Sequence, residues 1–547
     1  MAGENSTLQQ IGDIPPEIEA AFLKPSLYPH AVEEIFCCET HISKVFLTGG
    51  YAYKVKKPVN FGFLDFSTLE KRRHFCEREV LLNQRLSHNI YLGVVAVTRK
   101  AGGYELDGPG EVVEYAVKMR QLPGERSMLE LLRRGELHEG LVAELAVLLA
   151  NFYRKARHGQ SIDKMGTVET VRLNCEENFS QIEPFVSRVV PAEPFLYIRH
   201  NVREFLEHRK VLFDRRIAHG HICDGHGDLR LEHVYFLDTV QVIDCIEFND
   251  RFRNNDVTAD LAFLGEGLDF YRREDLSHTL VRTYASAAND PEVFVLLDFY
   301  KCYRALVRCK VDCLRLAEGG LQQRQRQEVI EKIQRHLDLG KLYAATCSRP
   351  TLWLMCGLSG SGKSRIADEL AECFQVKVVR SDVIRKKLHG IEPHTGVVTE
   401  FGKGIYSEAA TESTYDQLLL AARRQLAQGN SCILDATFGK RHQRQRARQV
   451  AAEMDACLIA VECLCPEEVR RQRLAQRQGQ VLYSDARLQH MAAQGLAFEE
   501  VDELPQEVHL RLRTDQSLAE SFGELLAEAH WRQRVQARTA CSRGGEI

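Results

Sequence analysis

The sequence lacks the features of membrane proteins, of secreted proteins and of proteins with structural zinc sites. Nowhere does an apolar run approach the roughly 18 residues that a membrane-spanning helix needs. Residues 1–16 are polar and acidic, without the apolar segment of a secretory signal. The 17 cysteines are odd in number and form no C-x-x-C pair, which argues against zinc-binding pairs and fits a reducing compartment. The sequence therefore predicts a cytoplasmic protein without a membrane partner.

A strong charge of either sign is also missing. The 547 residues carry a formal net charge of −4, so the chain has no long-range basic field that would attract nucleic acid. A local basic patch could still bind it, so a nucleic-acid partner is not excluded but is not favoured. At about 150 residues per domain, the length predicts about three compact units.

The most informative positive feature is an eight-residue stretch that fits the phosphate-binding pattern G-x-x-x-x-G-K-[ST]. It consists of Gly357, Leu358, Ser359, Gly360, Ser361, Gly362, Lys363 and Ser364. The apolar run 352–356 before it predicts a buried strand, and residues 364–373 have the apolar spacing of a helix. We expect the loop to wrap the phosphates of ATP, with Lys363 at the β- and γ-phosphates and the Ser364 hydroxyl on Mg²⁺. The alternative is a Gly/Ser turn that merely precedes Lys-Ser.

The first half of the chain predicts a small β-rich lobe followed by a larger helical lobe. Residues 44–56 alternate around two glycines, which is typical of a β-hairpin. Helical spacing follows at 67–86, a strand-like segment at 111–119, and a hinge at 121–124. Residues 128–157 are again largely helical in pattern.

A second group of chemically useful residues lies between positions 219 and 250. His226-Gly227-Asp228 is followed by the apolar pair Val242-Ile243 and then Asp244. The carboxylate of Asp228 could accept the proton of an attacking hydroxyl, and Asp244 could hold a metal that bridges phosphates. His-Gly-Asp alone is a common tripeptide and would more often be an ordinary loop.

These motifs resemble those of the aminoglycoside-phosphotransferase-like superfamily, which includes choline kinase relatives. The resemblance implies that Lys54 pairs with the α- and β-phosphates of ATP and forms an ion pair with Glu79 on the following helix. Lys56 lies on the same strand face as Lys54, so the assignment between the two lysines stays open.

The resemblance also places the adenine hinge at Met119 to Leu122. It implies that Asp256 and Asp260 support the catalytic loop. The alternative for these two carboxylates is that they only start a helix.

Two positions depart from the superfamily pattern. Residues 40–44, where a glycine-rich phosphate lid would lie, contain no glycine, so a lid would have to use side chains such as Ser43. His233 stands where the superfamily usually has an asparagine that binds a second metal. Because Mg²⁺ prefers oxygen ligands, Mn²⁺ is an alternative metal at this N-terminal site.

The C-terminal half resembles the zeta-toxin, gluconate kinase and polynucleotide 5′-kinase group. Asp382 and Arg385 follow a second predicted strand, and the resemblance implies that Asp382 is the base for the acceptor hydroxyl and that Arg385 holds the substrate. Asp435 ends an apolar strand and could bind the metal. A lone apolar strand that ends in aspartate is common, however.

Two arginines on one helix complete the predicted C-terminal site. Arg473 and Arg477 are four residues apart, hence on one face, and in these kinases such arginines belong to a lid that closes over ATP. A solvated basic helix is the alternative. Residues 440–448 are also basic, but they have no interleaved aromatic side chains on which bases could stack.

The order of the two halves resembles that of the bacterial bifunctional aminoglycoside-phosphotransferase-like/P-loop ATPase proteins. We therefore expect a mixed α+β and α/β fold, with a bilobal kinase-like domain at 1–347 and a P-loop NTPase domain with a parallel sheet at 348–547. The expected function is an ATP- and Mg²⁺-dependent phosphotransferase with two nucleotide sites and a small-molecule hydroxyl acceptor. The alternative is a polynucleotide or nucleotide-sugar kinase in the second half, regulated by a nucleotide-sensing pseudokinase in the first.

Overall fold

The computed structural model describes residues 12–392, 395, 402–476 and 491–543. Up to residue 348 the elements are α1 (Pro16–Phe22), β1 (Phe36–Glu39), β2 (Ser43–Leu47), β3 (Tyr51–Lys56), α2 (Leu69–Asn83), β4 (Tyr91–Lys100), β5 (Gly103–Leu106), β6 (Glu111–Arg120), α3 (Met128–Arg133), α4 (Glu139–Lys155), α5 (Gln160–Asp163), α6 (Val168–Ile182), α7 (Ala192–His208), α8 (Lys210–Ala218), β7 (Ile222–Asp224), β8 (Val234–Phe236), β9 (Val240–Val242), α9 (Asp250–Arg253), β10 (Asn254–Asp256), α10 (Val257–Phe270), α11 (Glu274–Ala288), α12 (Val293–Glu318) and α13 (Gln323–Ser348). The remaining elements are β11 (Thr351–Cys356), α14 (Lys363–Phe374), β12 (Lys377–Arg380), α15 (Ser381–Leu388), α16 (Glu408–Leu426), β13 (Cys432–Asp435), α17 (Arg441–Glu453), β14 (Cys457–Leu464), α18 (Glu467–Gln476), α19 (Met491–Ala497), β15 (His509–Arg513) and α20 (Leu518–Arg543). Within these ranges, no helix combines the length and the apolar character that crossing a membrane requires.

A six-stranded antiparallel sheet forms the β-rich lobe, in the order β1-β2-β3-β6-β4-β5. The predicted hairpin is confirmed, because β2 pairs with β3 around Gly49, whose φ of 88° suits glycine. The predicted helix at 67–86 is α2, which starts where the Thr68 side chain accepts a hydrogen bond from the backbone N–H of Lys71. Helix α2 packs on β4 and β6, and this packing places it beside β3.

Two short antiparallel pairs, β7 with β10 and β8 with β9, frame the predicted catalytic loop. The loop leaves β7 and enters the β8–β9 hairpin, and Asp244 follows β9 directly. The hairpin therefore returns the chain to the loop, which brings the two predicted acidic residues of the first site together.

The P-loop half contains a five-stranded, fully parallel sheet in the order β12-β13-β11-β14-β15. All six residues of β11 are buried, which is expected for a central strand with helices on both faces. Helix α16 packs on β13, and α17 and α20 pack on β14. The predicted parallel sheet, and with it the mixed α+β and α/β fold class, is confirmed.

By contact density the chain divides into two compact units. The first comprises Met1–Thr167 and Arg216–Leu280, and the second comprises Val168–Arg215 and Val281–Ile547. Within the second unit, α13 packs on α7, α12 and α20, so these helices cluster with the parallel sheet. The predicted domain boundary at 347/348 falls at the end of α13, shortly before β11, and it stays a prediction.

Candidate nucleotide sites

The central group of the first site is the ammonium of Lys54 on β3. Its Nζ lies 2.8 Å from Oε1 of Glu79 on α2 and 2.6 Å from Oδ1 of Asp244. The structure thus brings together all three residues that the sequence assigned to the phosphate and metal groups. The Asp244 side chain is 39% exposed, whereas that of Glu79 is fully buried, so Asp244 is the member that faces open space.

A second lysine extends this ion pair into a chain of charges. Nζ of Lys56 lies 2.7 Å from Oε2 of Glu79 and also contacts Glu247. The Lys56 side chain has no exposed surface, so it has no access to a ligand, whereas Lys54 reaches Asp244. This geometry favours Lys54 as the phosphate-binding lysine. Glu247 was not predicted as a site residue, although its position three residues after Asp244 was a usable signal.

The lysines and carboxylates of this ion-pair network hold each other in the charged form. Burial alone would lower the pKa of Lys54, but Asp244 and Glu79 raise it well above its ordinary value. Burial likewise opposes ionisation of the two carboxylates, yet the lysines hold the pKa values of Glu79 and Asp244 below their ordinary range. At neutral pH the site therefore presents a fixed ammonium beside an ionised carboxylate.

The backbone at Asp244 is held in an uncommon conformation. Its φ of 63° lies in the left-handed region, which a non-glycine residue occupies at a cost of about 1–2 kcal/mol. The Asp244 N–H donates to the Tyr91 hydroxyl at 3.1 Å, and the Cys245 N–H donates to Oδ1 of Asn83 at 2.8 Å. Tyr91 and Asn83 thus fix the backbone at Asp244, the predicted metal ligand. No motif in the sequence predicted this role for either residue.

The predicted catalytic loop is anchored by Asp260 of α10. Its carboxylate accepts hydrogen bonds from the N–H groups of His226 at 2.7 Å and Gly227 at 2.9 Å. The Tyr153 hydroxyl donates to the same carboxylate at 3.1 Å. Gly227 has a φ of 86°, so this position of the loop requires glycine. Asp260 has the supporting contacts that the resemblance implied.

Asp256 has a different role from Asp260. It caps α10 by accepting from the Thr258 N–H at 2.8 Å, and it forms a buried ion pair with Arg216, with Nε 2.9 Å from Oδ2. For Asp256 the structure therefore supports the alternative of a helix-start carboxylate.

Asp228, Arg230 and His233 form a compact cluster next to Asp244. Nε of Arg230 lies 3.0 Å from Oδ2 of Asp228, and its Nη2 lies 2.8 Å from Nε2 of His233. Because a guanidinium can only donate, Nε2 of His233 accepts, and Nδ1 carries the proton that goes to the Asp228 carbonyl at 2.8 Å. Nε2 is also 3.5 Å from Oδ2 of Asp244, so it lies beside the predicted metal position, but Arg230 would have to release its lone pair before a metal could bind.

The charges in this cluster keep Asp228 ionised. Burial opposes ionisation, but the Arg230 guanidinium holds the pKa of Asp228 below its ordinary value. Arg230 contacts both the predicted base and the predicted histidine ligand, and it was not among the residues that the sequence predicted for the site.

Metal binding at this site would rest on few protein groups. Within the described ranges, no group of three or more His, Cys, Asp or Glu side chains is arranged to hold a metal ion. Asp244 and His233 are the two nearby donors, and Mg²⁺ in phosphoryl-transfer sites is commonly held by one or two carboxylates together with substrate phosphates. The donor set therefore fits a metal that arrives with the nucleotide.

The predicted hinge and lid differ in outcome. Met119 and Leu122 belong to one apolar cluster that also contains Ala52 and Ile243, a composition that suits an adenine ring. Ser43, in contrast, is fully buried at the start of β2. The expectation that its side chain covers the phosphates is wrong, because that side chain faces the protein interior.

Glycine is required at several positions of the P-loop. The φ angles of Gly357, Gly360 and Gly362 are 128°, 81° and 89°. A Cβ atom on Gly357 would lie 2.7 Å from the Cys463 carbonyl oxygen, and one on Gly360 would lie 3.0 Å from the Arg470 carbonyl oxygen. Only glycine satisfies both the backbone angles and the packing at these two positions.

The polar groups of the P-loop fit a phosphate ligand. Nζ of Lys363 donates to the Leu358 carbonyl at 2.8 Å, which keeps the ammonium inside the loop. Burial lowers the pKa of Lys363, and Asp435 counteracts this effect. The Ser361 hydroxyl is buried and has no hydrogen-bond partner among the described residues. Lys363 and Ser364 begin α14, so the positive end of a helix dipole points at the loop.

Both predicted acceptor residues, Asp382 and Arg385, lie on α15, which directly follows β12. Nη1 of Arg385 is 2.9 Å from Oδ1 of Asp382, and the guanidinium stacks over the Tyr406 ring at 4.7 Å. Asp435 ends β13, where Nε of Arg380 lies 3.6 Å from its Oδ2. These contacts bring the predicted base and the predicted substrate arginine together.

Of the two predicted lid arginines, the structure describes one. Nη2 of Arg473 donates to the Thr514 carbonyl at 2.5 Å, and Nη1 lies 3.5 Å from the Gly360 carbonyl. The Thr514 hydroxyl in turn donates to the Ser361 carbonyl at 2.6 Å. Arg473 is thus attached to the P-loop itself, and Arg477 lies outside the described residues.

The basic segment 440–448 is largely neutralised within the protein. Arg444 is fully buried and binds Glu503, with Nε 2.6 Å from Oε1. Arg446 pairs with Glu412 and Asp416. Because these charges already have partners, the segment offers little free positive charge to nucleic acid.

The chain is similar to known proteins in both halves. Residues 352–501 match the AAA domain family. Over 442 residues the chain is 34% identical to the uncharacterized protein Rv2004c of Mycobacterium tuberculosis (strain ATCC 25618 / H37Rv), and the match spans 81% of this chain and 86% of that protein. This aligned length exceeds either predicted domain, so the similarity extends into both.

Two solved structures are also similar. One is a choline/ethanolamine kinase family protein from Mesorhizobium loti, with 13% identity, 60% of this chain and 99% of that chain covered, and a TM-score of 0.35. The other is a gluconokinase from Sinorhizobium meliloti 1021, with 21% identity, 34% and 95% covered, and a TM-score of 0.25. The P-loop geometry and the AAA domain match support kinase-like nucleotide binding.

Proposed function

The chain belongs to the family of mycobacterial Rv2004c, and on that premise we propose that it is an ATP-dependent phosphotransferase with two nucleotide sites. Each site transfers a phosphoryl group to a hydroxyl of a small molecule. The observation that carries the proposal is the position of Lys54, which contacts both Glu79 and Asp244 in a chain that also has a complete P-loop.

In the first site, each residue has a distinct task. Bound ATP would supply the phosphoryl group, and its metal ion would neutralise charge on the phosphates. Lys54 binds the phosphates, and Glu79 fixes its position. Asp244 would hold the metal, joined by His233 once Arg230 releases its Nε2, while Asp228 accepts the proton of the acceptor hydroxyl. Since Arg230 contacts Asp228, the acceptor must displace this guanidinium from the carboxylate or share it.

In the second site, the backbone of the P-loop and Lys363 bind the phosphates, and Ser364 and Asp435 hold Mg²⁺. Asp382 takes the proton from the acceptor hydroxyl, and Arg385 orients the acceptor. Arg473 stabilises the P-loop through its hydrogen bonds to the carbonyls of Thr514 and Gly360. We propose these roles because the residues lie at the carboxyl ends of neighbouring parallel strands, where such sheets bind ligands.

The test is a screen for acceptor-dependent ADP release with sugars, nucleosides, aminoglycosides and oligonucleotides. With an acceptor of the second site, Asp382→Asn should abolish transfer and largely spare ATP affinity, because a base acts on the acceptor. Asp416→Asn, which changes an exposed carboxylate that pairs with Arg446, is the matched control and should retain activity. Unchanged turnover in Asp382→Asn would remove Asp382 from this role.

One observation favours the alternative, in which the first half only senses nucleotide. Arg230 bridges the predicted base and the predicted histidine ligand, an arrangement that could keep Asp228 from a substrate. If this alternative holds, Lys363→Ala protein will bind ATP without turnover, and the second half will phosphorylate an oligonucleotide or a nucleotide sugar. Acceptor-dependent turnover in Lys363→Ala protein that Asp228→Asn abolishes would rule it out.

A further inference from the structure

Arg230 links the predicted base of the first site to the predicted histidine ligand. Its Nε lies 3.0 Å from Oδ2 of Asp228, and its Nη2 lies 2.8 Å from Nε2 of His233. The same imidazole nitrogen is 3.5 Å from Oδ2 of Asp244. These contacts connect the carboxylate assigned to the acceptor hydroxyl with the carboxylate assigned to the metal, and the guanidinium is one member of the series.

The guanidinium of Arg230 is held in its charged form by the carboxylates around it. Burial alone would lower its pKa, but Asp228, Glu232 and Asp244 raise it above the ordinary value. A ligand can also reach this group. The side chains of Arg230 and Asp228 are each 27% exposed, and that of Asp244 is 39% exposed. An anion that enters the site can therefore contact the guanidinium without any opening of the protein interior.

The partners that Arg230 has in this structure are the groups that phosphoryl transfer requires. Asp228 must accept the proton of the acceptor hydroxyl, and His233 must present the lone pair of Nε2 if it is to bind a metal. The guanidinium occupies both of these acceptor atoms. A partly buried cation does not leave its partners without compensation, because an unpaired charge in such a place is costly. Transfer therefore requires another anion with which Arg230 can pair.

The terminal phosphoryl group of ATP can supply this anion. It carries more negative charge than a carboxylate, and its oxygens match the planar fork of a guanidinium. Nζ of Lys54, which is assigned to the α- and β-phosphates, lies 2.6 Å from Oδ1 of Asp244. During in-line transfer the γ-phosphoryl group moves from the phosphates at Lys54 to the hydroxyl at Asp228. Because Arg230 contacts Asp228, its guanidinium lies next to this path.

We propose that Arg230 is a catalytic residue that binds the γ-phosphoryl group of ATP during transfer in the first site. This inference rests on the proposed function of that site. The acceptor oxygen forms a bond to the γ-phosphorus while the bond from this phosphorus to the bridging oxygen of ADP breaks. ADP keeps the electron pair of the broken bond, and the acceptor proton goes to Asp228. Arg230 neutralises the oxygens of the group that is transferred, and its movement frees Asp228 for the acceptor.

The test uses a mimic of the transferred group and needs no acceptor. Calorimetry measures the affinity of full-length Lys363→Ala protein, which lacks the P-loop site, for Mg-ADP with and without aluminium fluoride. Aluminium fluoride stands in for the phosphoryl group in the transition state, so we expect it to tighten ADP binding about a hundredfold. Adding Arg230→Ala should reduce this gain to under about threefold, because it removes a donor to the transferred group. The affinity for ADP alone should change by less than about threefold, because ADP lacks the group that Arg230 binds.

Two comparisons separate catalysis from structure. Arg230→Lys keeps the charge but loses the planar fork, so it should retain part of the gain. Arg134→Ala is the matched control and should keep the full gain. Arg134 is also partly exposed and pairs with a carboxylate, that of Glu136 at 2.9 Å. Retained affinity for ADP alone shows that a variant is folded.

The outcomes distinguish this inference from the proposed function. An undiminished gain in Arg230→Ala would overturn the inference, and so would a larger gain, which is expected if Arg230 only blocks Asp228. ADP binding without any gain in the Lys363→Ala parent would overturn it as well, and in all three cases the nucleotide site stands. Absence of ADP binding in the parent would refute the proposed function of the first site together with this inference. If Arg230→Ala does not fold, Arg230→Lys decides, because an undiminished gain there overturns the inference and a reduced gain supports it.

Discussion

At the scale of single residues, His233 has contacts that would suit either a metal ligand or a residue that only packs the predicted catalytic loop. Its Nδ1 donates to the Asp228 carbonyl, while Nε2 accepts from Arg230 and lies 3.5 Å from Oδ2 of Asp244. A ring nitrogen ligand favours Mn²⁺ over Mg²⁺ more than an amide oxygen does. The identity of this residue should therefore set the metal preference of the first site.

We predict that His233→Asn shifts the activity of the first site from Mn²⁺ toward Mg²⁺. The measurement is turnover with each metal in a Lys363→Ala background, which removes the P-loop site. The Mn²⁺/Mg²⁺ ratio should fall several-fold in the variant. An unchanged ratio would show that His233 packs the loop and does not bind metal.

Asp256 should make the stability of the protein depend on pH. Burial opposes its ionisation, but Arg216 holds its pKa below the ordinary value. A carboxyl group whose pKa is lowered by folding adds stability above its unfolded pKa of about 3.9, and this contribution is lost as pH falls through the folded pKa.

We expect Asp256→Asn to reduce the free energy of unfolding by about 3–5 kcal/mol at pH 7, because the change leaves the Arg216 charge buried without its partner. Part of the loss of stability below about pH 4 should disappear as well. Urea unfolding at a series of pH values measures both effects. Asp275→Asn, which breaks an exposed pair with Arg273, should cost under about 1 kcal/mol, and equal effects of the two substitutions would contradict the account.

At the scale of elements, α2 is attached to β3 by two buried ion pairs that share one carboxylate. Glu79→Gln would leave both Lys54 and Lys56 without this partner, although Asp244 and Glu247 remain. The expected loss is about 2–3 kcal/mol in the free energy of unfolding, since each lysine loses one of its two carboxylate partners and hydrogen bonds to charged groups contribute about 1.5–3 kcal/mol.

The control for Glu79 lies on the same helix. Glu77 pairs with Arg73 on the surface, where both side chains are more than half exposed, so Glu77→Gln should cost under about 1 kcal/mol. Chemical denaturation monitored by circular dichroism compares the two variants. Similar stability of both would show that the Lys54–Glu79–Lys56 chain does not hold α2 in place.

Nucleotide binding by the P-loop depends on the backbone conformation of the whole loop. Gly357→Ala should abolish ATP binding at this loop, because the new Cβ would lie 2.7 Å from the Cys463 carbonyl oxygen. Gly429→Ala is the matched control, since Gly429 also has a positive φ, of 74°, but no atom of the described residues lies within 4 Å of the place that an alanine methyl would occupy there. Both variants place an alanine at a positive φ, which strains the backbone in each case. Only Gly357→Ala should lose nucleotide binding. Nucleotide binding at the P-loop measured by calorimetry should differ between them, and equal affinity would show that the close approach of Cys463 is not decisive.

At the scale of the whole molecule, contiguous motifs were predictable and contacts between distant segments were not. The P-loop could be predicted because its glycines, Lys363 and the flanking elements are consecutive in the sequence. The Lys54–Glu79–Asp244 contacts followed from the resemblance. Tyr91 could not be predicted as the residue that positions Asp244, because only the folded chain brings them together.

Residue type alone suggested the wrong environment for two residues whose role depends on burial. Arg444 belongs to a segment whose composition suggests a solvated basic face, yet it is fully buried against Glu503. Ser43 was expected near phosphates and points into the protein. In both cases the side chain type is compatible with either environment, and only tertiary packing selects one.

The central claim is that the chain has two independent nucleotide sites, and counting them by calorimetry tests it most directly. Wild-type protein should bind two equivalents of Mg-ATP analogue. Lys363→Ala and Lys54→Met should each bind one, and the double variant none, because each lysine serves only its own site. Complete loss of binding in Lys363→Ala, or a single equivalent in the wild type, would contradict the account.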